Sequence, residues 1–186
     1  MAVCSLDKDL LRSTSCGYSL PQIVTIYVAN LADVKDVVYS EKKDEISGIT
    51  MVSGATFHVI EPAKNSASFT DELVTNDNGA RYRTQTITFS VTGQYDKDKH
   101  NALDALSLGK YFVVAKTAQG SYIAFGSLTG LEASAASNAG GSDTNGMTIT
   151  LTADVTESAI PLVGAAIDKV IGTGESDTVV IKHNIF

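Results

Sequence analysis

The sequence predicts a mainly β fold, an antiparallel β-sandwich or barrel with one packed α-helix. Three observations lead to this prediction. Short β-branched runs alternate with turn signals along most of the chain. A strong hairpin signal, Asn78-Gly79, stands between two alternating segments. One segment, residues 96–108, has a clear helical spacing of apolar residues.

The first strands are predicted near the start of the β-rich region. Residues 22–29 form a β-branched and aromatic run that follows a proline and precedes an asparagine. Apolar segments at residues 37–39 and 54–60 predict two further strands, and Pro62 ends the second of them.

A hairpin is predicted from residues 66–74 and 81–92 around the Asn78-Gly79 turn, because both turn positions favour a positive φ. In the outgoing strand, Ile87, Phe89 and Val91 share one face. The opposite face carries only hydroxyl side chains, namely Thr84, Thr86, Thr88, Ser90 and Thr92. This alternation predicts a sheet with one buried face and one hydroxyl-rich face.

In residues 96–108 the apolar side chains recur at helical spacing instead of alternating as in a strand. Asp96 is placed to cap the N-terminus, and Gly109 is placed for a left-handed C-cap. The apolar stripe consists of Ala102, Leu103 and Leu106. It is narrow, so this helix is expected to lie on a sheet. A second, C-terminal helix is predicted over residues 161–170.

A second hairpin is predicted from residues 110–116 and 121–126. The Gly-rich residues 137–146 predict a flexible loop. The remaining strands are predicted at residues 147–153 and 178–182. Residues 1–20 are polar and irregular, so the expected organisation is an N-terminal arm over 1–20 and a single β-rich domain over 21–186.

Composition excludes several classes of protein. The 186 residues are 44% hydrophobic and 19% charged, which is too apolar and too sparsely charged for a disordered chain. No apolar run is long enough to span a bilayer, so no membrane association is expected. The formal net charge of −7 argues against a dedicated nucleic-acid binder, which would carry a basic surplus.

The sequence contains no residue pattern typical of a catalytic, cofactor or metal site. A non-enzymatic protein without a cofactor is therefore expected. The three histidines, His58, His100 and His183, have no second ligand at metal-site spacing. The acidic residues Asp71, Glu72 and Asp77 lack the spacing of a calcium loop, so a solvated hairpin tip is the favoured interpretation.

Two cysteines lie in the predicted arm, Cys4 and Cys16. They are interpreted as free thiols in a reducing cytoplasm, and a local disulfide that pins the arm is the alternative. The segment around Cys4 lacks the apolar core of a secretory signal.

The face of the predicted strand that carries Ile87, Phe89 and Val91 also carries three polar residues. They are Arg81, Arg83 and Gln85. They are therefore predicted to lie beyond the edge of the core, toward the hairpin tip. Arginine is enriched at protein contacts, so the two arginines are interface candidates, with a solvated hairpin end as the alternative.

These segments together resemble phage tail tube-like proteins, in particular small structural proteins of phages and prophages of Bacteroidetes. The resemblance covers most of residues 4–153. It is carried by Cys4, Cys16, residues 23–30, 68–72, Asn78-Gly79, Tyr82, residues 88–89, 106–109, 111–115, 126–131, 142–146 and 148–151.

The resemblance implies a virion protein that assembles into rings, typically hexameric, which stack into a tube through which DNA passes. The implied partners are other copies of the chain and other tail or neck proteins, and a tube, a terminator and a neck ring all remain open. Candidates for subunit contacts are Cys4, Cys16, Glu41, Lys42, Lys43, Asp44, Arg81 and Arg83.

A ligand- or sugar-binding β-sandwich module is the competing interpretation. It would use exposed aromatic rings to stack on sugars, and Tyr82, Tyr95 and Tyr122 are available. The absence of tryptophan argues against it.

Deletion of residues 1–20 is expected to weaken self-assembly more than it weakens the fold. The reason is that the resemblance assigns the N-terminal arm contacts with neighbouring subunits, whereas the β-rich domain is predicted to begin after it. Thermal unfolding and native mass measurements on both chains test this. Unchanged assembly in the shortened chain would contradict it.

Overall fold

A computed structural model of the chain describes residues 22–93, 96–140 and 145–172. This part of the chain is mainly β, with an antiparallel sheet and two α-helices, as the sequence predicts. The strands are β1 (Ile23–Asn30), β2 (Val34–Tyr39), β3 (Ile46–Met51), β4 (His58–Ile60), β5 (Ser68–Thr75), β6 (Arg81–Val91), β7 (Lys110–Thr117), β8 (Tyr122–Phe125), β9 (Leu131–Gly140), β10 (Asn145–Val155) and β11 (Ile160–Pro161). The helices are α1 (Lys97–Leu106) and α2 (Ala165–Ile171), and a 3-10 turn (Leu31–Asp33) follows β1.

Strand β7 is the centre of a nine-stranded sheet. The order is β11-β8-β7-β9-β10-β6-β5, with β1 paired to β7 and β4 paired to β1. One edge of β7 pairs with β1, while β8 and then β9 share its other edge. Strands β2 and β3 form a separate hairpin.

A tight turn over residues 126–130 divides this sheet into two layers. Gly126 has a φ of 64°, and its carbonyl accepts a hydrogen bond of 2.9 Å from the Gly130 amide. A Cβ on Gly126 would lie 2.9 Å from the backbone of Gly130 and Leu131, so only glycine fits here. The turn lets β8 stay on β7 while β9 departs to pair with β10.

The result is three layers around two hydrophobic clusters. We call β5, β6, β10 and β9 the four-stranded layer. Strands β4, β1, β7 and β8 form the middle layer, and the β2–β3 hairpin with α2 forms the outer layer. The cluster between the first two layers contains Ile26, Val28, Ile87, Phe89, Val113, Ile149 and Leu151. The cluster between the middle and outer layers contains Tyr27, Ile46, Ile49, Phe112, Val114, Ala166 and Val170.

Helix α1 closes one end of the first cluster. Asp96 caps it by accepting hydrogen bonds from the amides of Asp98 and Lys99, as predicted, and Leu103 and Leu106 are buried. The predicted left-handed C-cap at Gly109 is wrong, because Gly109 does not have a positive φ. A side chain at Gly109 would instead overlap the phenol of Tyr111, whose hydroxyl donates to the Ala105 carbonyl at 2.7 Å.

Several predicted boundaries differ from the structure. The strand predicted at 54–60 is shortened to His58–Ile60, and the loop predicted at 137–146 is partly strand, since β9 reaches Gly140 and β10 begins at Asn145. The second helix begins at Ala165, because Ile160 and Pro161 instead pair with β8. The predicted arm over 1–20 and the strand at 178–182 lie outside the described residues.

The two-sided burial of β7 predicts a large effect of truncating Phe112. Its side chain is 0% exposed and its ring packs edge-on against Phe57 at 5.8 Å. Phe112→Ala should lower the free energy of unfolding by about 3–5 kcal/mol, because it leaves a cavity between rigid layers. Urea unfolding measures this, with Leu108→Ala as a control, since Leu108 is 83% exposed. A loss below about 1 kcal/mol at Phe112 would contradict the packing described.

Candidate assembly surface

The four-stranded layer presents a hydroxyl-rich outer face, as the alternation of the sequence predicts. Cross-strand hydroxyl pairs join β6 to β10: Thr86 to Thr152 at 3.0 Å, Thr88 to Thr150 at 3.1 Å and Ser90 to Thr148 at 2.7 Å. We call this surface the hydroxyl face. It consists of Ser68, Thr70, Thr84, Thr86, Thr88, Ser90, Thr148, Thr150 and Thr152.

The hydroxyl face continues onto β5, and two carboxylates lie at one of its ends. Ser68 lies opposite Thr88, and Thr70 lies opposite Thr86. At the next set of paired positions, Thr84 of β6 donates a 2.6 Å hydrogen bond to Asp154 of β10. Glu72 of β5 lies opposite Thr84 on the other edge of β6. The hydroxyls therefore bond to one another, and the charges on this face gather at one end.

Both edges of the four-stranded layer are open within the described part of the chain. Strand β5 pairs with β6 and with no other described strand, and residues 133–138 of β9 pair with β10 alone. Since each of the four strands is antiparallel to the next, β9 and β5 run in opposite directions. The layer therefore ends in two unpaired edges of opposite direction.

Gln85 corrects the prediction that the polar residues of β6 lie beyond the core. Its side chain is 0% exposed. Its amide oxygen accepts a 2.9 Å hydrogen bond from the Gly126 amide, and its amide nitrogen donates to the Glu157 carbonyl at 3.2 Å. No local sequence pattern signals these partners, because they are backbone groups of two loops that the fold brings to β6.

Arg83 also has internal partners. Its guanidinium lies 2.7 Å from a carboxylate oxygen of Asp71 and donates at 3.0 Å to the Asp71 carbonyl. The other carboxylate oxygen of Asp71 accepts a 2.9 Å hydrogen bond from the Ala159 amide. Asp71 of β5 thus links Arg83 of β6 to the segment after β10. The proposed contact of Arg83 with a neighbouring subunit stays a prediction. Arg81 is exposed at the start of β6.

A polar cluster joins the outer hairpin to the same region. The hydroxyl of Tyr39 lies 2.9 Å from that of Ser127 and donates to Glu157 at 3.1 Å, and Ser127 also donates to Glu157. Burial raises the pKa of the Tyr39 phenol above its ordinary value. The three residues are far apart in sequence, so no local pattern could have revealed the cluster.

The subunit-contact candidates at residues 41–44 lie in the turn between β2 and β3. The Ser40 hydroxyl donates to Asp44 at 2.6 Å, while Glu41, Lys42 and Lys43 are exposed. This turn belongs to the outer layer, whereas Arg81 belongs to the four-stranded layer, so the structure does not bring the interface candidates together. Cys4 and Cys16 lie outside the described residues.

The acidic residues of β5 are separated by the pleat of the strand. Asp71 pairs with Arg83, while its neighbour Glu72 points to the opposite face. No three His, Cys, Asp or Glu side chains group at metal-binding distances within residues 22–93, 96–140 and 145–172. Over the same ranges, no helix has the length and apolarity to cross a bilayer.

Comparison with known proteins finds no matching family model, curated protein or solved structure. Functional inference therefore rests on the geometry of the four-stranded layer and on the residues that carry the resemblance.

The burial of Gln85 predicts a specific loss of stability. Gln85→Leu preserves the approximate volume but leaves the Gly126 amide and the Glu157 carbonyl without their partner, and each unsatisfied buried group costs about 1–3 kcal/mol. Urea unfolding should therefore show a loss of about 2–6 kcal/mol from the two groups together. Thr86→Val, at the next position of β6, is the matched control, because it removes a hydroxyl pair near the surface. Equal losses in both variants would contradict a distinct role for Gln85.

Proposed function

We propose that the protein is a non-enzymatic virion structural subunit that assembles with copies of itself into rings, as part of a phage tail tube or neck. One observation carries the proposal: the four-stranded layer has one hydroxyl face and two unpaired edges that run in opposite directions. The resemblance to phage tail tube-like proteins supports the same function.

The two edges are suited to pairing between copies. If β5 of one copy lies beside β9 of the next, the two strands are antiparallel. The antiparallel sheet then continues from copy to copy. The contact is heterologous, since each copy offers a different edge to each neighbour, and repeated heterologous contacts close into a ring when the rotation allows it. Closure also removes open strand edges, which are otherwise sites of aggregation.

The layers favour one orientation in such a ring. The middle and outer layers both lie on the same side of the four-stranded layer, opposite the hydroxyl face. In a closed ring, the bulkier side occupies the larger radius, where the circumference is greater. The hydroxyl face then lines the lumen.

The chemistry of the hydroxyl face is suited to a conduit for DNA. In each cross-strand pair of β6 and β10 one hydroxyl donates to the other, which reduces the number of donors available to phosphate groups. The charged residues next to one end of the hydroxyl face, Glu72 and Asp154, are acidic and repel phosphate. Without a cationic surface to displace counterions, DNA is not retained as it passes.

Exposed apolar side chains on β5 also support a contact at this edge. Leu73 is 62% exposed and Phe69 is 39% exposed, although both belong to a strand of the sheet. A neighbouring copy paired to β5 would cover them.

A matched pair of leucine variants tests the proposal. Leu73→Gln should weaken self-assembly at least about tenfold, which corresponds to 1.4 kcal/mol, because it places an amide in the contact. Leu128→Gln should leave assembly unchanged, since Leu128 is similarly exposed at 59% but lies in the turn between β8 and β9. Native mass spectrometry and negative-stain imaging across a concentration series give the oligomer and its symmetry.

Two results would overturn the proposal. The first is a strictly monomeric wild-type chain at high concentration with no rings or tubes. The second is assembly that responds equally to both leucine variants. Hydrogen exchange provides an independent measurement: backbone amides of β5 and of residues 133–138 should become protected on assembly, because they gain strand partners.

A further inference from the structure

The backbone groups that β5 turns toward its open edge belong to every second residue. The Asn76 amide donates to the Ala80 carbonyl at 3.0 Å, so this pair at the end of the β5–β6 hairpin is hydrogen-bonded. Hydrogen-bonded and non-hydrogen-bonded pairs alternate along an antiparallel pair of strands. Counted back from Asn76, the residues whose backbone groups face the open edge are therefore Phe69, Asp71 and Leu73.

The corresponding residues of β9 follow from the pairing across the layer. Gln85 of β6 turns its carbonyl toward β10, where it accepts a hydrogen bond from the Thr152 hydroxyl at 3.1 Å. Every second residue of β10, counted from the partner of Gln85, bonds to β6, and the residues between them bond to β9. The backbone groups of Ala136, Asn138 and Gly140 are therefore those that face the open edge of β9.

The edge-facing residues of both strands lie on the core side of the layer, which is the side toward the middle layer. Phe69 lies opposite Ile87 and Ala136 lies opposite Ile149, and both isoleucines belong to the first hydrophobic cluster. Opposite residues of an antiparallel pair share one face. The edges of β5 and β9 can therefore bond to each other while the hydroxyl face stays on the same side in every copy. This match follows from the even number of strands in the layer.

The two edges differ in the size of their core-side residues. Phe69 and Leu73 of β5 are large, apolar and exposed. Ala136 and Gly140 of β9 are small and also exposed. A large side chain packs beside a small one without overlap, and an aromatic ring covers a glycine on a neighbouring strand.

This difference in size selects a contact between unlike edges. Two β5 edges would bring large side chains against large side chains, and two β9 edges would leave Phe69 and Leu73 exposed. A contact of β5 with β9 covers both residues and gives each a small partner.

We propose that β5 and β9 of neighbouring copies pair in a single register. This inference rests on the proposed function, because the neighbour is the next copy in the ring. The register sets three core-side residues of β5 opposite three of β9: Leu73 opposite Ala136, Asp71 opposite Asn138, and Phe69 opposite Gly140.

The central pair of this register joins a carboxylate to an amide. The described partners of the Asp71 carboxylate are the Arg83 guanidinium at one oxygen and the Ala159 amide at the other. A carboxylate has about four acceptor positions, so it can also accept a hydrogen bond from the Asn138 side chain of the neighbour. A shift of two residues in either direction would set Asn138 opposite Leu73 or Phe69, where its amide has no partner. The polar pair therefore favours this register over the adjacent ones.

Disulfide formation between copies tests the register. It sets Glu72 opposite Ser137 as a non-hydrogen-bonded pair, with Cα atoms about 4.5 Å apart, which is within the range of a disulfide. In a Cys4→Ser, Cys16→Ser background, chains that carry Glu72→Cys are mixed with chains that carry Ser137→Cys, and the assembled protein is oxidised with diamide. We expect a disulfide-linked dimer from the mixture. Neither chain alone should give one, because the contact joins unlike edges.

Thr70→Cys and Val74→Cys are the matched controls. Each replaces Glu72→Cys in the mixture, and each lies two residues away from position 72 on the same side of β5. In the proposed register both are diagonal to Ser137, about 7–8 Å away, which is at or beyond the limit for a disulfide. We expect weaker linking from both controls. Stronger linking from either one would indicate a register shifted by two residues and would overturn the proposed one.

An exchange of large and small side chains provides a second measurement. Leu73→Ala should raise the concentration needed for half-assembly about tenfold, because less apolar surface is buried in the contact. Adding Ala136→Leu to the same chain should restore most of the loss, since the opposite strand then supplies the missing volume. Ala135→Leu, on the other face of β9, should not restore it. All three positions are exposed in the isolated chain or lie near its surface, so circular dichroism should show an unchanged fold.

Failure of this inference is distinguishable from failure of the proposed function. Rings that form without a link between positions 72 and 137 would overturn the register and leave ring assembly standing. The same holds if Ala135→Leu restores assembly as well as Ala136→Leu does. A disulfide-linked dimer from Glu72→Cys chains alone would overturn the contact between unlike edges. Native masses that remain monomeric, with no link in the mixture, would overturn both proposals.

Discussion

The burial of β7 on both faces is the constraint on which the rest of the structure depends. Its central residues alternate between two hydrophobic clusters, with Val113 in one and Phe112 and Val114 in the other. A strand of this kind cannot lie at the surface of a two-layer sandwich. It requires a layer on each side, and the four-stranded layer and the outer layer supply them.

Polar contacts fix how the three layers meet at one end. Gln85 of the four-stranded layer bonds to the backbone of the β8–β9 turn, and Tyr39 of the outer hairpin bonds to the side chains of Ser127 and Glu157. Apolar packing is non-directional, whereas buried hydrogen bonds demand particular partners. These hydrogen bonds therefore determine the position of the turn that separates β8 from β9, and with it the open edge of β9.

The same arrangement leaves one layer available for assembly. The middle and outer layers cover the inward face of β6 and β10, while the hydroxyl face and the edges of β5 and β9 remain uncovered in the described chain. Threonine and serine are well suited to such a face, because β-branched and small hydroxyl side chains maintain strand geometry and bond to one another without adding charge. This composition is compatible with the contact between copies and the passage of DNA that we propose.

The sequence by itself determined the strands with strong alternation, the Asn78-Gly79 hairpin, the capped start of α1 and the hydroxyl row of β6, because these follow from local periodicity and turn chemistry. Only the tertiary structure decided that Gln85 is buried, that Arg83 pairs with Asp71, that Gly109 faces Tyr111 and that β9 leaves β7 for β10. The alternation of residues along a strand predicts the face on which a side chain lies, but not which other segment covers that face. The partners of these residues come from segments distant in the chain, so no local pattern contains them.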